Sequence, residues 1–112
     1  MSKCQLREWR MEAHERELKR ELEKLDQSFE AWRRGEISSG ELSVRVHQYD
    51  RGPSRDLFSR YNYGDAKMNV AYAIVAGIID EEEVPKELME ALSTAIQVFQ
   101  SMKDNGELKL PE

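Results

Sequence analysis

Between positions 68 and 79 the chain reads MNVAYAIVAGII, an almost unbroken apolar run in a sequence that is 35% charged. It is too short to cross a bilayer as a helix, which takes roughly 20 apolar residues. Its Ala and Gly content argues against a buried strand, where β-branched and aromatic side chains dominate. The run therefore predicts a central helix over 66–79, buried on nearly all sides, with the remaining segments packed around it. Asp65 is placed to cap its start, and Ala73 and Gly77, four apart, suit close packing.

The segment from Gln5 to Arg34 has helical periodicity. Leu18, Leu22, Leu25, Phe29 and Trp32 are spaced 4, 3, 4 and 3, a heptad seam that extends back to Met11. Glu15 occupies the one seam position between Met11 and Leu18 where an apolar residue is expected. Glu12–Arg16, Glu15–Lys19 and Glu30–Arg34 place acid four residues before base, an order that supports a solvated helix. Thirty helical residues are about 45 Å long, more than the roughly 35 Å diameter of a domain this size. Such a helix must overhang, bend or lie against a second chain.

Gly35 ends this helix, and Ser38 with Glu41 forms a capping-box pattern for the next. Leu42, Val46 and Tyr49 are its expected buried face, and Trp32 is expected to be buried at the end of the first seam. Asp50-Arg51-Gly52-Pro53 reads as a turn, with Pro53 opening a third helix whose apolar face is Leu57, Phe58 and Tyr61. A last helix from about Pro85 repeats the heptad spacing through Leu88, Leu92, Ala95, Phe99 and Met102, and Asn105-Gly106 ends it. No window alternates with period two. The expected fold is all-α: a small bundle of about five helices with a long N-terminal helix and a buried apolar fourth helix. At 112 residues it is one domain, read as 1–104 with a flexible tail at 105–112.

The net charge of −5 is uneven. Residues 1–67 carry 14 Lys/Arg and 13 Asp/Glu, whereas residues 68–112 carry 3 and 9. The acidic run Asp80, Glu81, Glu82 and Glu83 is expected to be a solvated loop and helix start. The single cysteine, Cys4, excludes an internal disulfide, and no secretory pattern is visible at the N-terminus. A cytoplasmic setting is expected.

The chemistry-bearing residues do not assemble into a catalytic pattern. Cys4, His14 and His47 share no metal-binding spacing, and zinc normally takes at least three protein ligands. No serine stands in a glycine-bounded elbow, and phosphate-binding glycine loops are missing. The expectation is a protein without catalytic residues, metal or cofactor, and without a membrane span.

Two surfaces are candidates for binding. Leu6, Trp9 and Ala13, continued by Leu18, Leu22 and Leu25, are predicted to contact another chain, most simply a copy of this one in a homodimer. The alternative keeps helix 1 along its own core in a monomer. Separately, Arg51, Arg55, Arg60 and Tyr63 lie in an Arg- and Tyr-rich segment, 45–63, of the kind that grips phosphate and stacks on unpaired bases. That pattern carries the second hypothesis, a nucleic-acid-associated accessory subunit. The simpler reading makes the tyrosines core and the arginines their cover, since an acidic chain lacks a dense basic face.

Overall fold

A computed structural model describes the chain from Lys3 to Pro111, with side chains from Gln5 onward; the Cys4 side chain thus lies outside the described residues. The described chain is all-α. Helix α1 (Lys3–Arg33) is followed by α2 (Ser39–Tyr49), a π turn (Asp50–Ser54), α3 (Arg55–Asn62), α4 (Ala66–Val75), a 3-10 turn (Glu81–Glu83), α5 (Lys86–Ala91) and α6 (Ser93–Asp104). The overall dimensions are 51 × 32 × 25 Å, so the long axis is set by α1.

Helix α1 neither overhangs nor stands alone. Its turn is closed by Gly35 at φ 77°, whose left-handed backbone a side chain would strain. Ser38 then caps α2 by accepting from the Glu41 amide at 3.1 Å. The reciprocal half of the box is replaced by a Glu41–Arg45 ion pair. From there the chain returns along α1 as one nearly continuous rod, α2 through α3. Pro53 does not open a new helix but sits inside this rod. It has no amide to offer the carbonyl of Tyr49 and its ring would collide there, and the wider π turn accommodates it.

Helix α4 packs against α1 and α6 packs against α4. The buried core joins Leu6 and Ala13 of α1, Leu57 and Tyr61 of α3, Val70, Ala73 and Ile74 of α4, and Ile79, Val84, Leu88 and Leu92 beyond it. The apolar run is therefore interior, but only its first part is helical. Helix α4 stops at Val75 because Gly77 turns left-handed at φ 80°, and the Ile78 amide reaches back to the Ala73 carbonyl at 2.9 Å. This is the hydrogen-bond pattern of a glycine C-cap. A side chain on Gly77 would meet nothing within 4 Å, so this glycine serves the turn and not close packing. The turn lets Ile79 enter the core fully buried. Lys103 Nζ donates to the Val75 carbonyl at 3.2 Å, tying α6 to the end of α4.

The acidic run is likewise structured. Asp80 and Glu83 make a complete capping box around the 3-10 turn. Arg16 of α1 then grips Glu83 through two nitrogens, at 2.8 and 2.7 Å, and donates to the Ile78 carbonyl at 3.0 Å. Glu12–Arg16 and Glu30–Arg34 form as the spacing predicts, whereas the expected Glu15–Lys19 pair is not among the ion pairs of the described residues. The segment after Gly106 contributes one anchor, the Lys109 carbonyl, which accepts from Tyr72 Oη at 2.7 Å.

Three side chains expected in the core lie at the surface. Trp32 is 40% exposed and Val46 and Phe58 are also exposed. Trp32 Nε1 finds its partner in Ser39 Oγ at 3.0 Å, so the indole spans the α1–α2 turn instead of filling a pocket.

Candidate functional site

The face that α1 turns to its own domain is not the heptad seam. It is the line through Leu6, Ala13 and Glu17, continued by Ser28, all buried. At 3.6 residues per turn, the row Met11, Leu18 and Leu22 lies roughly 140° around the helix from that line. The seam is accordingly left at the edge of the domain: Met11 is 62% and Leu22 47% exposed, and Leu18, Leu25 and Phe29 are half-buried.

A buried polar group supplies the reason. Glu17 is only 5% exposed, and a carboxylate in that position needs partners. Tyr61 Oη donates to Glu17 Oε2 in a short hydrogen bond. Arg60 approaches both carboxylate oxygens from the side, at 3.5 and 3.4 Å. The same guanidinium sits 4.6 Å above the Tyr72 ring, and Tyr72 packs edge-on against Phe99 of α6. The cluster thus stitches α1, α3, α4 and α6 together. Burial, and then the bond to Glu17, push the Tyr61 phenol far above its ordinary range, so it stays a proton donor throughout the physiological range.

His14 stacks on the Tyr61 ring, with ring centroids 5.4 Å apart. Its Nε2 is buried and has no hydrogen-bond partner among the described residues. Burial lowers its pKa from 6.5, against the opposing pull of Glu17 and Glu15. The folded state therefore binds its proton less readily than the unfolded state, and stability falls as pH drops below 6.5. Glu83, held by Arg16, is lowered from 4.5 to about 2 and adds a second loss with the same sign below pH 4.5. Urea midpoints measured from pH 8 to pH 3 are expected to fall in these two stages. His14→Phe should remove the first stage and keep the second; an unchanged upper stage would show that His14 does not cause it.

Beside His14 and Tyr61 opens a cleft of about 480 Å³ between α1 and α3, walled by Met11, Leu18 and Phe58 with Arg7 at its rim. Phe58, 52% exposed, meets the exposed ring of Tyr63 edge-on at 6.1 Å. The apolar surface of the cleft is therefore continuous with the seam.

Of the residues expected to contact another chain, Leu6 and Ala13 are consumed by the core, because α4 and α3 reach the start of α1 and cover them. Trp9 is half-buried and packs against the same core. Leu18 is half-buried and packs against that core as well, Leu25 is half-buried, and Leu22 is exposed. Met11 and Phe58 join them; the first was legible as the start of the seam, and the second reads from sequence as core.

The arginine-rich segment is divided. Arg51 and Arg55 are exposed, whereas Arg60 is turned inward onto Glu17 and Tyr72. Tyr63 faces solvent and Tyr61 does not. Among the described residues, no group of three or more His, Cys, Asp or Glu side chains converges as a metal site. No helix there is long and apolar enough to cross a membrane. No protein-family model, curated protein or solved structure matches the chain.

Proposed function

We propose that the protein is a non-enzymatic helical interaction module that self-associates through α1, in a reducing, cytoplasmic setting in keeping with its single cysteine. The observation that carries this reading is the orientation of the seam. A heptad-spaced apolar row, the pattern that packs one helix on another, runs along the edge of the surface that the domain itself buries, with Met11 and Leu22 exposed. Met11, Leu22 and Phe58 leave apolar area in water that a partner helix would cover, at a gain of about 25 cal/mol per Å². The interface is narrower than the sequence predicts: Leu18, Leu22 and Leu25 with Met11 and Phe58, without Leu6 and Ala13. The alternative, a nucleic-acid-associated accessory subunit, has less support because Arg60 is already paired within the domain.

Sedimentation equilibrium tests the proposal. The wild type should show a mass twice that of the chain at micromolar concentration, and Leu22→Glu should return it to the single-chain mass with unchanged helical circular dichroism. A wild type that stays at the single-chain mass at every concentration would sink the reading. Truncating residues 1–12 is a poorer test, since it also removes Leu6 from the core.

A further inference from the structure

Resting on that self-association reading, we propose that two copies of α1 pair antiparallel about a two-fold axis passing between Glu23 and Lys24, with the charges beside the seam selecting this orientation. In heptad terms Met11, Leu18, Leu25 and Trp32 occupy one core position (d) and Glu15, Leu22 and Phe29 the other (a). Antiparallel helices set each position of one kind against the other kind. An axis between Glu23 and Lys24 places Leu22 against the partner's Leu25 and Leu18 against the partner's Phe29. The symmetry repeats both layers, so the centre of the interface is wholly apolar. Glu15 then falls at the outer edge beside the partner's Trp32, where its carboxylate reaches water and its stem covers the indole. Sliding the axis to Arg20 would place Glu15 opposite Leu25, between apolar layers, and bury an unpaired charge. The residue that interrupts the seam therefore excludes that slide; the opposite slide, to an axis at Gln27, would set Lys19 against the partner's Arg33 and Asp26 against its own copy.

The flank supplies the orientation. Directly after each d position, on the solvent side, stand Glu12, Lys19, Asp26 and Arg33, which alternate in sign along the helix. All four are exposed. Within the described residues no ion pair engages Lys19, Asp26 or Arg33, and Glu12 is held by Arg16 through one oxygen only. About the proposed axis Lys19 faces the partner's Asp26, and Glu12 faces the partner's Arg33. On this solvent-side flank both kinds of contact join opposite charges. A parallel pair would instead set this row against Arg7, His14, Glu21 and Ser28 of the partner, where only Glu12, opposite Arg7, meets a counter-charge. There Asp26 meets the partner's Glu21, a like-charge contact. His14 and Ser28 are already engaged by Tyr61 and Arg45. Charge complementarity of this kind chooses a register and orientation more than it adds affinity.

Two measurements decide the matter. In a Cys4→Ser background, a spin label on Glu8→Cys should report an inter-label distance of about 46 Å, from 31 helical residues at 1.5 Å each; parallel pairing would bring the labels within about 20 Å. Lys19→Asp or Asp26→Lys alone should weaken the dimer about tenfold, because each places two like-charge pairs in it. The double charge swap should restore the wild-type dissociation constant to within about twofold. A short label distance, or a double swap no better than the singles, would overturn the antiparallel pairing and leave self-association standing. A wild type that remains monomeric would overturn both.

Discussion

Replacing Tyr61 by Ala is expected to destabilise the domain by about 3–5 kcal/mol, the range for removing a buried aromatic ring. Against a total of about 5–15 kcal/mol for a domain, that is a large share of its stability. The ring is 2% exposed, stacks on His14 and donates to Glu17, so two distinct losses are combined. Tyr61→Phe separates them: it keeps the ring and leaves the Glu17 carboxylate with only the long contacts from Arg60. That change should cost about 1–3 kcal/mol, the penalty for stranding a buried acceptor. Urea unfolding with an unchanged slope would read both values as stability changes. If Tyr61→Phe unfolds at the wild-type midpoint, the bond to Glu17 contributes nothing and the cluster acts through packing alone.

The second large effect is expected at Leu88. This side chain is fully buried and ties the short helix α5 to the core formed with Ile79, Val84 and Leu92. Leu88→Ala should leave a cavity and cost about 2–5 kcal/mol. Val98→Ala, at a position 47% exposed on α6, should stay within about 0.5 kcal/mol and serves as the comparison. Equal losses at the two positions would mean that α5 is not anchored where the core places it.

These two sites also show what the sequence could disclose. The helical class, the interior position of the 68–79 run and the ends at Gly35 and Asn105-Gly106 rest on local signals. Glycine backbone freedom, capping side chains and apolar periodicity act within a few residues, and each was legible. The face that α1 buries was not. Hydropathy groups Leu6 and Ala13 with the leucine row on one partner-facing surface, yet the domain buries Leu6 and Ala13 along a different line, with Glu17 and Ser28. Glu17 is tolerated there only because Tyr61 and Arg60 meet it from more than forty positions away, a contact without local trace.

The same reasoning explains the mistaken side chains at Phe58 and Val46. Their spacing from Leu42 and Tyr61 is helical, but spacing along one helix cannot tell which flank a neighbour covers. The candidate interface was half visible for a related reason. The seam was plain as a pattern, and its release to solvent depends on Tyr61 and Arg60, which hold α1 by its other side. Leu6 and Ala13 lie on that held side and could not be sorted from the seam by composition.

The π turn at Asp50–Ser54 has one more consequence. Leu42 and Tyr49 stand seven apart and Leu57 and Tyr61 four apart, both in step with an α-helix, but Tyr49 and Leu57 stand eight apart. In an unbroken α-helix that extra residue would swing everything after it by about 100°, carrying Tyr61 away from Glu17. The widened turn takes up the surplus residue locally, as a vernier does, and keeps the two halves of the rod in phase. One surplus residue is therefore absorbed there without re-aiming either half, whereas one inserted inside α3 would rotate the residues beyond it out of the core.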